Sequence, residues 1–251
     1  MNPSARPLEG VRIVVTRAKE QASALVDQLE ALGAEPVAIA TISIIEPSDG
    51  GAAREVAMAN LHTYDQVVVT SPNGARALVR ALGGIDGTVV PPVACVGPST
   101  AAVLFDAAVS VNVMPDQAVA EGLLAAMPHA TEGCDKLLLF QAEVARPVLA
   151  DGLGGLGWHV DRVAAYRTVD ADISPAEVAA AAAADVVTFT SSSTVERFLR
   201  LVGSQSLPPV VASIGPITSA TAMQHGLTVD IEAKEHTIRG LVEAVVAWAD
   251  S

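Results

Sequence analysis

The feature that most constrains this chain is a pattern of residues that occurs twice along its 251 positions. Four landmarks of the first half return in the same order in the second half, 118 to 124 residues later. They are Gly33 and Gly157, Thr70-Ser71 and Thr190-Ser191, Gly97-Pro98-Ser99-Thr100 and Gly215-Pro216-Ile217-Thr218, and Gly122-Leu123 and Gly240-Leu241. Because the landmarks keep their order and the offset between equivalent ones varies by only a few residues, the pattern indicates an internal duplication. We therefore predict two similar units, an arrangement that naturally encloses a cleft.

Each half alternates strand-like and helical stretches. Residues 11–15 form a β-branched run, and apolar residues then recur at helical spacing until Gly33. Residues 136–140 begin the same succession, which ends at Gly157. The other strand-like runs are 35–39, 66–69, 93–96, 111–113, 158–163, 185–189, 210–214 and 229–231. Because continuous apolar strands separated by helices are typical of parallel sheets covered on both faces, we predict an α/β fold.

Two helix starts are marked by their chemistry. Ser174, Pro175 and Glu177 have the spacing of a capping box with proline at the first helical position. Ser71 and Pro72 likewise predict a capped helix start. Residues 40–47 and 164–172 fit neither element type, occupy equivalent places in the two halves, and are predicted to link the units.

Composition limits the partners and the compartment. A formal net charge of −13 argues against nucleic acid, whose phosphates require a basic face. No uncharged apolar run reaches about 18 residues, so we expect no membrane span, and the first residues lack a signal-peptide pattern. Cys95 and Cys134 have no metal or redox spacing, so we predict buried thiols in a reducing compartment, the cytoplasm.

The familiar signatures of cofactor and metal chemistry are missing. The sequence has no dinucleotide or phosphate loop and no zinc-protease or nucleophile-elbow motif, and its five histidines have no ligand spacing. We therefore predict no metal site and no cofactor. Small hydroxyl residues instead recur where strands lead into helices: Thr16, Thr70-Ser71, Ser99-Thr100, Thr190-Ser191 and Thr218-Ser219. Such helix starts attract anions, although the same residues are also typical helix caps, and both interpretations stay open.

Three arginines and one tyrosine are further candidates. Arg17, Arg146 and Arg167 lie at or near the strand-to-helix turns, where each either pairs with a ligand carboxylate or is an ordinary surface arginine. Tyr166 stands in the second linker and either packs there or supplies a proton from its phenol.

Together these stretches resemble the uroporphyrinogen-III synthase family. The resemblance is carried by VRIVVTR at 11–17, YDQVVVTSPN at 64–73, VGPSTA at 96–101, Gly122-Leu123, YRT at 166–168, FTS at 189–191 and IGPIT at 214–218. It covers nearly the whole chain, and the order and spacing of the segments make it specific.

The resemblance implies two flavodoxin-like α/β domains with parallel sheets, joined by a two-stranded linker, with one domain discontinuous. Carried onto this chain, residues 1–39 and 169–251 would form the first domain, and residues 44–163 the second. Residues 40–43 and 164–168 would be the interdomain linkers. The carboxylate-rich substrate would lie in the cleft that the domains create.

The family cyclises hydroxymethylbilane to uroporphyrinogen III with loss of water and inversion of ring D, through a spiro intermediate and without a cofactor. The resemblance implies Tyr166 as the catalytic residue and a monomeric enzyme. It implies substrate binding by Thr16, Arg17, Ser71, Thr100, Arg167, Ser191 and Thr218. One departure from the family pattern follows Phe140, where Glu143 would be unfavourable beside a substrate carboxylate.

Two other functions remain open from the residues. A cofactor-free module of two lobes that binds or senses a small molecule would show the same repeat and cleft. A nucleotide-dependent enzyme is weakened by the lack of a phosphate loop.

Overall fold

The computed structural model describes residues 6–16, 19–83 and 89–251. The strands are β1 (Arg12–Val15), β2 (Glu35–Ala38), β3 (Ile42–Ile45), β4 (Gln66–Val69), β5 (Val93–Cys95), β6 (Val111–Val113), β7 (Lys136–Ala142), β8 (His159–Asp170), β9 (Val186–Phe189), β10 (Val210–Ser213) and β11 (Ile231–Glu232). The helices are α1 (Lys19–Ala31), α2 (Ala52–Ala59), α3 (Pro72–Leu82), α4 (Pro98–Asp106), α5 (Ala120–Ala126), α6 (Val148–Gly155), α7 (Pro175–Ala182), α8 (Ser192–Val202), α9 (Pro216–Gln224) and α10 (Ile238–Ala249). Short 3₁₀ helices cover Leu61–Thr63 and Ser204–Ser206.

The strands form two sheets, which confirms the predicted α/β class. The first sheet has the order β11-β10-β9-β1-β2, with parallel pairing throughout. The second has the order β3-β8-β7-β4-β5-β6, and its strands from β8 to β6 pair in parallel. Parallel strands need helical crossovers, which is why strands and helices alternate along the sequence.

The chain divides into two compact units. Unit 1 comprises Met1–Ser43 and Val169–Ser251, and unit 2 comprises Ile44–Thr168. Unit 1 is discontinuous because β1 and β2, near the beginning of the chain, complete a sheet with β9, β10 and β11 from its end.

The two sheets share one doubly wound strand order. Counting β1, β2, β9, β10 and β11 as strands one to five, the first sheet reads 2-1-3-4-5, which is the flavodoxin-like order. The second sheet reads the same when β7, β8, β4, β5 and β6 are counted in that way, with β3 added at its edge. The two units are therefore circularly permuted versions of one fold.

Helices cover both faces of each sheet. In β4, Val67 and Val69 belong to one apolar core of unit 2, whereas Val68 belongs to the other. In β1, Ile13 and Val14 are divided in the same way between the two cores of unit 1. Since successive side chains of a strand point to opposite faces, an unbroken apolar run marks a strand buried on both sides.

Helix boundaries follow the predicted chemistry. The Ser71 side chain caps α3 by accepting a hydrogen bond from the Gly74 amide at 3.1 Å. Ser174 and Glu177 form a complete capping box at the start of α7. Gly33 and Gly157, just after α1 and α6, have φ angles of 95° and 92°, a conformation that favours glycine and ends a helix.

The repeated glycines are positions of close backbone approach. A Cβ atom at Gly122 would lie 2.3 Å from the Gln117 carbonyl oxygen, and one at Gly240 would lie 2.1 Å from the Glu235 oxygen. The other repeated pair behaves alike: a Cβ at Gly97 would meet Ala118 Cβ at 2.7 Å, and one at Gly215 would meet the His236 ring at 2.7 Å. These landmarks therefore recur because both units pack in the same way.

Some boundaries differ from the predicted ones. Strand β8 continues to Asp170, so segment 164–168 is part of a sheet, as is the second half of segment 40–43 in β3. Alternate β8 residues Val163 and Ala165 are buried in a core of unit 2, and this burial extends the strand beyond the predicted 158–163. Strand β11 covers only two residues, beginning two positions and ending one position later than the predicted run 229–231.

The expectation of two buried thiols is wrong for Cys134. Cys95 is buried at the end of β5, but Cys134 is exposed in the short turn that it closes with Thr131.

In the described part of the chain, no helix combines the length and apolar character that crossing a membrane requires.

Candidate functional site

In a doubly wound sheet, ligands bind beyond the carboxyl ends of the strands, where the strand order reverses. In unit 2 this point lies between β7 and β4. Leu78 of α3, which follows β4, packs in one core, and Leu153 of α6, which follows β7, packs in the other. The chain thus leaves neighbouring strands toward opposite faces, which opens a crevice. Unit 1 has the same arrangement between β1 and β9, with Leu29 of α1 and Phe198 of α8 in opposite cores.

A pocket of about 300 Å³ occupies the crevice of unit 2. Thr70, Val96 and Gln141 line it from the strand ends, and Arg146 and Val148 line it from the start of α6. Arg146 is exposed and pairs with Glu121 at 3.2 Å. Because the first amides of a helix lack intrahelical partners and carry partial positive charge, this pocket suits an anionic group.

Tyr166 and Ser71 are brought together at the same end of the sheet. Tyr166 is 9% exposed, and its hydroxyl oxygen lies 3.0 Å from Ser71 Oγ, with either group able to donate. Ser71 Oγ also accepts from the Gly74 amide, so one serine caps α3 and holds the phenol. This pair places a proton donor beside a helix N-terminus, which is an arrangement suited to acid catalysis on an anionic molecule.

Arg167 lies next to Tyr166 and pairs with Glu143. The distance from Arg167 Nε to Glu143 Oε2 is 3.7 Å. Glu143 Oε1 accepts from the Ser48 amide at 2.9 Å, and the Glu143 amide donates to the Tyr166 carbonyl at 2.8 Å. Hydrogen bonding by Ser48, with a smaller contribution from the Arg167 charge, lowers the pKa of the Glu143 carboxyl. Glu143 is therefore an ionised neighbour of two predicted site residues.

Unit 1 carries a hydroxyl cluster at the start of α8. Ser191 Oγ accepts from the Thr194 amide at 3.4 Å and lies 3.1 Å from Ser193 Oγ. Ser192 Oγ lies 2.6 Å from Thr221 Oγ1 of α9. Ser191 occupies the place in unit 1 that Ser71 occupies in unit 2, because both cap the helix that follows the third strand of the common order.

Three predicted substrate-binding threonines have buried side chains. Thr16 is 0% exposed, and its hydroxyl donates to the Thr188 carbonyl at 2.8 Å. Thr100 and Thr218 are 2% and 4% exposed at the third positions of α4 and α9, where the side chain turns inward. These side chains offer almost no surface to a ligand, although their turns lie at the strand ends. The substrate-binding role of the three residues stays a prediction.

Arg17 lies outside the described residues. Among the described residues, no group of three or more histidine, cysteine, aspartate or glutamate side chains has the geometry to hold a metal ion. The sequence analysis did not find Ser48, which contacts Glu143 through its backbone amide. Every residue except proline has such an amide, so the residue type gave no signal. It noticed Glu143 only as a departure from the family pattern.

The fold and the site define a class: proteins of two doubly wound α/β units that present capped helix starts, a tyrosine and an arginine at the strand ends. The chain matches the sequence profile of HEM4, described as uroporphyrinogen-III synthase HemD, over residues 23–243. It is 31% identical to uroporphyrinogen-III synthase of Synechococcus elongatus over 259 aligned positions, which cover 97% of each chain. The chain therefore belongs to the uroporphyrinogen-III synthase family.

Solved structures show the same fold at lower identity. Uroporphyrinogen-III synthetase of Helicobacter pylori superimposes with a TM-score of 0.58 at 14% identity, covering 95% of this chain and 99% of that one. A mutant uroporphyrinogen III synthase of Thermus thermophilus gives a TM-score of 0.57 at 17% identity, covering 96% and 98%. The predicted fold class is confirmed by this likeness.

Proposed function

We propose that this protein is a uroporphyrinogen-III synthase, which cyclises hydroxymethylbilane to uroporphyrinogen III. The observation that carries the proposal is the Tyr166–Ser71 pair at the carboxyl edge of the unit 2 sheet, in a chain that belongs to this family. The substrate is a linear tetrapyrrole with carboxylate side chains, and the capped helix starts and arginines supply groups that bind carboxylates.

The proposed reaction begins when the terminal hydroxyl takes up a proton and leaves as water, which gives an electrophilic azafulvene. Ring D attacks through its substituted carbon to form a spiro intermediate. That intermediate fragments and recloses in the opposite orientation, and the loss of a proton restores the pyrrole. Because the unaided chain closes without inversion, the protein has to select a folded geometry, which is a task of positioning and electrostatics.

Each site residue has a proposed role. Tyr166 assists the departure of water, and Ser71 holds its hydroxyl in place. Arg167, Arg17 and Ser191 bind substrate carboxylates. Thr16, Thr100 and Thr218 shape the turns, so that backbone amides contact the substrate while the threonine side chains stay buried.

We also propose that units 1 and 2 fold as domains linked by residues 40–43 and 164–168, since each unit has its own sheet and two apolar cores. The protein acts as a cytoplasmic monomer, without a metal or cofactor and without nucleic-acid or membrane partners.

The test is an isomer assay. Hydroxymethylbilane is generated enzymatically in the presence of the purified protein, and the oxidised products are separated into the type I and type III isomers. Formation of type III in excess over a protein-free control is expected. Type I alone would refute the proposed activity and favour a two-lobed module that binds its ligand without turnover.

A further inference from the structure

Glu143 makes three contacts at the candidate site, although a carboxylate is unfavourable beside a carboxylate-rich substrate. Its side chain accepts from the Ser48 amide, its own amide donates to Tyr166, and its second oxygen faces Arg167 Nε. We propose that Glu143 is a positioning residue, which directs the Arg167 guanidinium so that its terminal nitrogens bind a substrate carboxylate. This inference rests on the proposed function.

The geometry explains why one carboxylate has this effect. Arg167 Nε is buried and has no hydrogen-bond partner among the described residues, and at 3.7 Å Glu143 pairs with it only by charge. A guanidinium binds carboxylates through its edge containing Nε or through its two terminal nitrogens. Because Glu143 occupies the Nε side, the terminal nitrogens remain for the substrate.

The Ser48 contact fixes the orientation of the Glu143 side chain. The amide that precedes α2 holds Oε1 at 2.9 Å, and the backbone bond to Tyr166 ties the end of β7 to β8. Because both its side chain and its backbone are held by hydrogen bonds, Glu143 keeps its orientation when a mobile, multiply charged substrate binds. Without that fixed orientation, the Arg167 side chain samples more rotamers and binding becomes weaker.

The experiment is a double-mutant cycle on kinetic constants, with Glu143→Gln, Arg167→Gln and the double variant assayed for the type III isomer. Glutamine retains an oxygen that accepts from Ser48 but loses the charge that faces Arg167. We expect Glu143→Gln to raise KM about three- to fivefold with kcat unchanged, since it weakens binding that ground and transition states share. In the Arg167→Gln background the same change should have no further effect on KM.

Glu243→Gln is the matched control, because it breaks an exposed ion pair with Arg239 on α10, and KM should not change. An equal rise in KM in both backgrounds would mean that the Glu143 charge acts independently of Arg167 and would overturn the inference. A lowered KM would overturn it too, since it would show that Glu143 merely repels the substrate. Wild-type protein that forms no type III isomer would instead refute the proposed function.

Discussion

Removal of the Tyr166 hydroxyl tests the central feature of the site. In Tyr166→Phe the ring remains in the core of unit 2, and only the 3.0 Å contact with Ser71 Oγ disappears. Ser71 keeps its bond from the Gly74 amide, so no buried group loses its last partner. The variant should therefore fold and differ from the parent in one proton donor.

The structure gives different magnitudes for stability and for turnover. A neutral hydrogen bond contributes about 1 kcal/mol to stability. For a chain of this size that corresponds to a Tm lower by about 2–4 °C. A group that assists the departure of water contributes more, and we expect turnover to fall about 10- to 100-fold, which is roughly 1.4–2.8 kcal/mol of activation free energy. Tyr166→Phe should therefore change the activation free energy of the reaction more than the free energy of unfolding.

The chain offers a matched control in its only other tyrosine, Tyr64. The Tyr64 hydroxyl donates to Asp161 at 2.9 Å, so Tyr64→Phe also removes one hydroxyl and one hydrogen bond. Both variants are compared by thermal melting and by initial rates of type III formation. Turnover in Tyr166→Phe within twofold of the parent, or a loss no larger than in Tyr64→Phe, would remove Tyr166 from the catalytic site.

Five further variants separate packing from function. Ser71→Ala removes a helix cap and the Tyr166 contact, so we expect the free energy of unfolding to fall by about 2 kcal/mol and turnover to fall as well. Ser174→Ala removes only a cap and should lower the free energy of unfolding by about 1 kcal/mol with unchanged turnover. Thermal melting and initial rates of both variants check this. Thr218→Val should leave the rate within about threefold, because its side chain is buried, and a larger loss would show that its hydroxyl serves the substrate. Gly240→Ala should lower the free energy of unfolding by about 1–3 kcal/mol, because its Cβ would lie 2.1 Å from a backbone oxygen. Gly154→Ala, whose Cβ would meet no described atom within 4 Å, should not destabilise the protein, and denaturant unfolding distinguishes the two.

The element types were predictable because they depend on local patterns. The unbroken apolar run at β4 and the Ser71-Pro72 start of α3 both appear in the structure as predicted. The extent of β8 was not predictable, since residues such as Ala165 become strand only through burial in a core of unit 2. Hydroxyl turns were found from the sequence, but the burial of Thr218 was not, because a helix start does not reveal which of its first residues faces inward.

The repeat alone determined that the protein contains two similar α/β units, because equivalent glycines are required wherever the same backbone approach occurs twice. The periodicity did not show that β1 and β2 join β9 to β11, which only the family resemblance implied; the tertiary structure established this pairing, so that the units are circular permutations of each other. It alone placed the Tyr166 hydroxyl on Ser71, 95 residues away, and Glu143 beside Arg167. The physical reason is that periodicity and capping act within a few residues, whereas strand pairing and side-chain contacts depend on which distant segments share one core.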